Sequence, residues 1–197
     1  MDKHKHLVSY EVINGIALIT LTNAPANAYS YALMRQLDDW VLQARMDESV
    51  HVIMLIGQGD KFFCAGADIE MLQELTPTEK YYFCLHANET LSRLEQTPKL
   101  VIAALNGHTV GGGLEIAMAA DLRIARAQAG KLGLPEVHLG VLPGTGGTQR
   151  LTRLLGKSQA LELMVTGRNL SVAEAADIGL VHATFDAEDQ NDFLQQA

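Results

Sequence analysis

The sequence contains few of the residues that define several classes of protein. Its two cysteines, Cys64 and Cys84, are too few and too far apart for a metal or redox motif, and both are expected to be free thiols in packed positions. No apolar run approaches the roughly 20 residues of a membrane helix, so no membrane partner is expected. The first ten residues lack the apolar segment of a signal peptide, which favours a reducing, cytoplasmic location.

Basic charge is also scarce. The formal net charge is −8 and no stretch forms a basic stripe, which argues against nucleic acid as a partner. Seven histidines are present, but no His-x-x-x-His or Asp-x-Asp pattern occurs, so no metal site is expected. The glycine-rich stretches match neither a dinucleotide fingerprint nor a phosphate loop. These absences leave an acidic domain without a predicted metal or redox cofactor.

The chain is long and apolar enough for one domain with a substantial core, at 197 residues and 48% hydrophobic composition. Its pattern alternates strands with helices, which is typical of α/β proteins. Asn14-Gly15 between two apolar runs predicts a hairpin, and capping boxes at Thr76 and Ser171 predict two helix starts. Further strands are predicted near residues 51–56, 100–105, 122–125 and 181–185, and helices from about 30, 69, 114, 148, 158 and 189.

The segment from Lys99 to Asp121 is the centre of this pattern. A buried strand, Leu100 to Leu105, is followed by a glycine triplet and a helix from about Leu114, an arrangement that directs free backbone N–H groups toward a ligand. Glu115 is the only formally charged residue between its two ends. It is either a carboxylate stabilised by the helix dipole or a titrating group held for chemistry, and the segment alone favours the first reading.

A second isolated carboxylate, Glu136, lies in the Gly- and Pro-rich segment from Lys131 to Arg150, which is predicted to be a long loop. It is either a solvated loop residue or the partner of Glu115 in a pair whose pKa values can be pushed apart, which would suit proton transfer beside a carbonyl. The glycine turn at 111–113 and the turn Ala65 to Asp68 each offer a backbone N–H for enolate charge. The second turn could equally be a tight turn that only permits close packing.

Four blocks of the sequence resemble the crotonase (enoyl-CoA hydratase/isomerase) superfamily. They are FFCAGADIEML, IAALNGHTVGGGLEIAMAADLRIA, LPEVHLGVLPGTGGTQRLTRLLG and TGRNLSVAEAADIGLV, and they follow the family's order and approximate spacing. The resemblance extends from Leu7 to about Val181. It implies the crotonase-like (ClpP/crotonase) α/β fold, a spiral of ββα units with two roughly perpendicular sheets, assembled as homotrimers or dimers of trimers.

The resemblance also implies a substrate, an acyl-CoA thioester, and a set of site residues. Its carbonyl oxygen would be held by the backbone N–H groups of Ala67 and Gly112, and Glu115 and Glu136 would be the catalytic acids of the hydratase branch. Coenzyme A is then part of the substrate, and no separate cofactor is implied. The residues that fall where the family lines its CoA groove are Asn27, Ala28, Ala65, Asp68 and Ile69.

Two departures from the family pattern accompany the resemblance. The loop from Asn23 to Ala28 lacks a basic residue, and Glu70 stands where some members have lysine. The family also usually continues into a C-terminal helical segment, which is expected to be largely absent from residues 1–197. The expected activity is hydration of a trans-2-enoyl-CoA in fatty-acid β-oxidation. The alternatives are an acyl-CoA double-bond isomerase or other crotonase-type lyase, and a non-catalytic acyl-CoA-binding or scaffold protein.

Overall fold

The computed structural model describes residues 6–197, and this part of the chain forms two sheets surrounded by helices. The strands are Val8–Ile13 (β1), Ile16–Leu21 (β2), Val52–Gly57 (β3), Phe62–Cys64 (β4), Leu100–Leu105 (β5), His108–Val110 (β6), Leu122–Arg126 (β7), Lys131–Gly133 (β8), Leu170–Ser171 (β9) and Ala183–Phe185 (β10). The helices are Tyr31–Met46 (α1), Ile69–Glu74 (α2), Pro77–Glu95 (α3), Gly112–Met118 (α4), Gly147–Leu155 (α5), Lys157–Thr166 (α6), Val172–Asp177 (α7) and Gln190–Gln196 (α8), with a 3-10 helix at Glu136–Leu139.

The larger sheet has six strands in the order β1-β2-β3-β5-β7-β10, and the smaller has four in the order β4-β6-β8-β9. In the larger sheet only the β1–β2 hairpin is antiparallel, and all its other pairs are parallel. Parallel strands need both faces covered. The main core covers one face, and a smaller cluster that includes Phe193 of α8 covers the other. This is a mixed α/β architecture with two sheets, as the sequence predicts.

The local signals in the sequence act where they were expected. Asn14 and Gly15 both have positive φ, at 50° and 83°, which is the geometry of a two-residue hairpin turn that follows the twist of its strands. Thr76 and Ser171 each form a complete capping box at the start of a helix. The predicted hairpin and both predicted helix starts are confirmed.

The structure differs from the sequence prediction around the glycine-rich segments. The segment from Lys131 to Arg150 is not one loop, since it contains β8, the 3-10 helix and the start of α5. Helix α4 begins at Gly112 and not near Leu114. Glycine has low helix propensity, but tertiary contact overrides it here, because a Cβ on Gly113 would lie 2.1 Å from the carbonyl oxygen of Cys64.

Two salt bridges tie α3 to its neighbours. Arg93 pairs with Asp38 of α1 at 2.6 Å, and Arg150 of α5 pairs with Glu95 at 2.8 Å. Both cysteines are free, with Cys64 buried and Cys84 partly buried, as predicted. Within residues 6–197 no helix is long and apolar enough to cross a bilayer.

Candidate active site

A cavity of about 390 Å³ lies between the two glycine turns and the 3-10 helix. All of its lining residues come from outside the six-stranded sheet. They are Tyr29, Ala65, Gly66, Ala67, Ile69, Leu72, Lys80, Phe83, Cys84, Gly111, Gly112, Glu115, Pro135, Glu136, Leu139, Val141, Leu142, Gly144 and Thr145. The cavity therefore contains both isolated carboxylates and both residues whose amides were expected to bind an oxyanion.

Glu115 enters the cavity from the first turn of α4 and is only 2% exposed. Its Oε1 accepts hydrogen bonds from the backbone N–H groups of Thr145 at 2.9 Å and Gly147 at 2.6 Å. Its Oε2 accepts a hydrogen bond from the Thr145 hydroxyl. Burial raises the pKa of Glu115, while these three hydrogen bonds and the guanidinium of Arg150 act in the opposite direction. Glu115 is thus buried but supplied with donors that favour its ionised form.

Glu136 approaches the cavity from the 3-10 helix in a different environment. Its Oε2 is buried and has no hydrogen-bond partner within residues 6–197. Burial raises its pKa to about 7, and the negative charge of Glu115 contributes in the same direction. A carboxyl group with this pKa exists as a mixture of acid and carboxylate near neutral pH and can transfer a proton in either direction.

The two glycine turns lie against each other at the cavity wall. A Cβ placed on Gly66 would be 3.2 Å from the amide nitrogen of Gly112, and one on Gly111 would be 3.1 Å from Oε1 of Glu136. Gly66 and Gly111 both have positive φ, at 91° and 57°, so glycine is required at these positions for conformation as well as for space. The turns therefore bring Ala67 and Gly112 to one side of the cavity, close to Glu136.

The amides of Ala67 and Gly112 have no backbone acceptor among residues 6–197, for two different reasons. Gly112 is the first residue of α4, where helix geometry provides no partner for the N–H group. Ala67 forms an isolated parallel bridge with Tyr29, in which Tyr29 N–H donates to Gly66 and Asp68 N–H donates to Tyr29. Because alternate residues of an extended segment point in opposite directions, the amide of Ala67 faces away from Tyr29. Such a pair of unpaired donors can hold a carbonyl oxygen that gains negative charge.

A second, shallower groove of about 370 Å³ runs beside the cavity and shares Ala65, Ala67 and Ile69 with it. Ala28, Asp68 and Glu70 also line this groove.

Two of the residues expected to line a CoA groove serve the fold. Asp68 also caps α2 by accepting a hydrogen bond from Met71 N–H. Asn27 is fully buried, lines neither cavity nor groove, and donates from Nδ2 to the carbonyl groups of Gln58 and Phe62. The side chain of Asn27 therefore fixes the loop that carries Ala28, and its assignment to a CoA groove stays a prediction.

Sequence analysis does not identify Tyr29 and Thr145 as site residues, although both line the cavity beside Glu115. Thr145 lies between glycines in PGTGG, where a small polar residue is typical of a loop. Tyr29 directly precedes Ser30, the N-cap of α1. Neither position carries a signal that separates it from structural residues. Among residues 6–197 no group of three or more His, Cys, Asp or Glu side chains could hold a metal ion.

The chain is similar to known proteins of one family. The family model for enoyl-CoA hydratase/isomerase matches residues 11–195. A probable enoyl-CoA hydratase of Bacillus subtilis (strain 168) is 41% identical over 191 residues, which is 96% of this chain and 72% of the relative. The short-chain-enoyl-CoA hydratase of Clostridium acetobutylicum is 42% identical over 168 residues, or 85% of this chain and 64% of the relative.

Solved structures show the same fold. The crystal structure of an enoyl-CoA hydratase from Geobacillus kaustophilus HTA426 superimposes with a TM-score of 0.93 at 43% identity, covering 98% of this chain and 72% of that one. The chain belongs to the enoyl-CoA hydratase/isomerase (crotonase) family. It spans about two thirds to three quarters of the length of these relatives.

Proposed function

We propose that the protein is an enoyl-CoA hydratase that catalyses the reversible syn addition of water to a trans-2-enoyl-CoA, giving a 3-hydroxyacyl-CoA. The observation that carries the proposal is the presence of two carboxyl groups and two unpaired amides in one cavity. The reaction needs a base, an acid and a place for enolate charge, and these four groups supply them. Relatives named as enoyl-CoA hydratases support the choice of reaction.

In the proposed mechanism the thioester oxygen accepts hydrogen bonds from the amides of Ala67 and Gly112, which stabilise the enolate as it forms. Glu115 removes a proton from water as the oxygen attacks C3. Glu136 then donates a proton to C2, on the same face of the double bond. Its pKa of about 7 suits this step, because a substantial fraction of the carboxyl groups is protonated near neutral pH.

The division of roles between the two acids follows from their surroundings. Glu115 accepts three hydrogen bonds that favour the carboxylate, as a base requires before it takes a proton. Glu136 has an unpartnered oxygen and a strongly raised pKa, as suits an acid that holds its proton until the enolate forms. The groove lined by Ala28, Ala65, Asp68 and Ile69 would take part of the coenzyme A. No separate metal or redox cofactor is part of the proposal.

The proposal includes a cytoplasmic location and assembly as a homotrimer or a dimer of trimers. Apolar side chains exposed on α6, Leu161 at 50% and Val165 at 59%, lie on the kind of surface that a subunit contact would cover. Light scattering coupled to size-exclusion chromatography tests the assembly. A mass of three or six subunits is expected, and a monomer at all concentrations would contradict it.

The test of function is a steady-state assay with crotonyl-CoA on the full-length gene product, following loss of the conjugated double bond. Glu115→Gln and Glu136→Gln are each expected to lower kcat by about 10² to 10⁴, the typical contribution of a positioned acid or base. Circular dichroism on both variants establishes that they fold.

Two outcomes would overturn the proposal in favour of the alternatives. Double-bond isomerisation that survives Glu115→Gln but not Glu136→Gln identifies an isomerase that uses the second carboxylate alone. Binding of CoA esters without turnover of any enoyl-CoA identifies a non-catalytic member of the family.

A further inference from the structure

Thr145 donates two hydrogen bonds to Glu115, the proposed base of the site. Its backbone N–H donates to Oε1 of Glu115 at 2.9 Å, and its hydroxyl donates to Oε2. Its own carbonyl oxygen accepts a hydrogen bond from Nη1 of Arg150 at 3.0 Å. The residue is 1% exposed, so these bonds form without competition from solvent.

The hydroxyl of Thr145 also meets the hydroxyl of Tyr29 at 3.4 Å, in a buried position. An ionised carboxylate only accepts hydrogen bonds, so the Thr145 hydroxyl must use its proton on Glu115. The Thr145 oxygen can then act only as acceptor toward Tyr29. The chain of bonds therefore runs in one direction, from the Tyr29 hydroxyl to Thr145 and from Thr145 to Glu115.

This direction matters because the two oxygens of Glu115 are not equivalent. Both lone pairs of Oε1 are occupied, because it accepts from two backbone N–H groups, whereas Oε2 accepts from the Thr145 hydroxyl and keeps one lone pair free. A proton taken from water must therefore be held on Oε2, where the Thr145 hydroxyl donates when the carboxylate is ionised. Thr145 supplies one of the two donors on Oε1, beside Gly147, and the donor on Oε2. It therefore takes part in selecting Oε2 as the basic atom and favours the ionised form before the reaction.

We propose that Thr145, supported by the hydroxyl of Tyr29, is a positioning residue that fixes Glu115 as the base of the site and directs proton uptake to its Oε2 atom. The inference rests on the proposed function, in which Glu115 is the base. Tyr29 has a further connection to the site, because a Cβ on Gly112 would lie 2.4 Å from its hydroxyl. One tyrosine therefore contacts the oxyanion turn and, through Thr145, the catalytic carboxylate.

The charged and titratable groups around Glu115 determine how its pKa should change when the hydrogen bond from the Thr145 hydroxyl is lost. Arg150 favours the carboxylate and belongs to α5, whereas Glu136 on the 3-10 helix is a like charge that opposes it. Tyr29 and Cys84 also face Glu115, and burial and the charge of Glu115 both raise their pKa values, so both are neutral in the working range. Burial raises the pKa of Glu115, and the Thr145 hydroxyl is the largest of the groups that lower it.

The test compares Thr145→Val, which keeps the shape but removes the hydroxyl, with Thr145→Ser, which restores it. A hydrogen bond to a charged group corresponds to about 10-fold to 100-fold in rate, so Thr145→Val should lower kcat by that factor and change KM little. The acid limb of the pH profile should move to higher pH. Thr145→Ser should recover most of the loss, and Tyr29→Phe should give a smaller decrease in the same direction.

A second readout does not depend on turnover. Glutamate labelled with ¹³C at the carboxyl carbon is followed by NMR against pH, and the Glu115 signal is assigned by its absence in Glu115→Gln. The titration midpoint should rise in Thr145→Val and, by less, in Tyr29→Phe. An unchanged midpoint in both variants overturns the inference even if activity falls. If the Glu115 titration midpoint rises in Thr145→Val but the parent protein hydrates no enoyl-CoA, the proposed function is overturned. The effect of Thr145 on the pKa of Glu115 would still be established.

Discussion

The two sides of the cavity surround the same functional group with different partners, although burial raises the pKa of both carboxyl groups. On the α4 side, Glu115 is almost completely buried and accepts three hydrogen bonds. On the side of the 3-10 helix, one oxygen of Glu136 is buried without a partner, and its pKa rises to about 7. The comparison teaches that burial alone does not assign a role to a carboxyl group. The donors around it decide how far burial shifts it toward the neutral form.

The segments that carry the two carboxylates also differ in how closely they are packed. Every residue of α4 is buried, and its glycines pack against the backbone of Cys64 and the ring of Tyr29. The segment that carries Glu136 instead exposes apolar side chains, with Leu139 at 62% and Leu142 at 79%. One wall of the cavity is therefore fixed by close packing, and the other is open to solvent or to a covering partner.

The largest effect is expected from a methyl group that disturbs the packed wall. In Gly112→Ala the new Cβ would lie 2.4 Å from the ring and hydroxyl of Tyr29. Tyr29 is 2% exposed and stacks on Phe83, so its ring has little room to shift and the backbone of residue 112 is expected to move. Loss of one oxyanion donor costs about 10² to 10³ in rate, and hydration of crotonyl-CoA should fall by that factor.

The control for this change is Gly179→Ala, at the end of α7, where φ is +78° and nothing lies within 4 Å. It should lower the free energy of unfolding by about 1 kcal/mol through backbone strain, with turnover retained. Turnover by Gly112→Ala equal to that of the parent protein would show that this amide does not contact the thioester.

A smaller effect is expected in the dependence of stability on pH. The pKa of Glu136 is about 7 in the folded protein and 4.5 as the ordinary value, so the folded state binds more protons between these limits. Stability contributed at this site is therefore greatest at low pH and is lost as pH rises from about 4.5 to 7. Glu136→Gln removes this loss. Urea unfolding should therefore show a smaller decrease in the free energy of unfolding from pH 5 to pH 8 in this variant than in the parent protein.

Glu79 provides a control of opposite sign. Its hydrogen bonds to Thr76 lower its pKa, so its contribution to stability is present above its ordinary pKa and is lost as pH falls. Glu79→Gln should therefore be less stable than the parent at pH 8. If Glu136→Gln behaves like Glu79→Gln, the buried oxygen of Glu136 has a partner that satisfies its charge.

The smallest effect is expected at the open wall. Leu142→Ala removes a side chain that is 79% exposed, and it should change the free energy of unfolding by less than about 0.5 kcal/mol. Leu114→Ala, on α4 and 1% exposed, should lower it by about 2 to 5 kcal/mol. Urea unfolding of both variants measures the difference. Equal losses would show that the open segment is as closely packed in solution as α4.

Much of the fold could be predicted where a signal is local. The Asn14-Gly15 turn and the capping boxes at Thr76 and Ser171 act within a few residues, so the sequence contains the whole interaction. Strands such as β6 and β8 are three residues long and form only by pairing with distant segments. No periodicity can develop over such a length, which is why the segment from Lys131 to Arg150 reads as a loop.

The site divides in the same way. Glu115 and Glu136 could be singled out because each is the sole charge in an apolar, glycine-rich segment, and family resemblance pointed to the amides of Ala67 and Gly112. All four residues line one cavity, and their catalytic roles stay a prediction. Thr145 and Tyr29 could not be identified, because their contacts are made with residues distant in sequence. Thr145 bonds to Glu115, 30 residues away, and Tyr29 contacts Thr145, 116 residues away. The amide group of Asn27 binds two carbonyl groups of neighbouring segments, a structural role that the sequence pattern does not indicate, and its place in a CoA groove stays a prediction.

The six-stranded sheet adds no residue to the cavity wall, and this separation has a practical consequence. Mutant libraries of the buried side chains of β2, β3 and β5 can be screened for thermostable variants without changing any residue that lines the cavity. Conversely, exposed apolar residues of the cavity wall such as Leu139 and Leu142 can be varied to accept new thioesters while the glycine turns and the sheet stay unchanged.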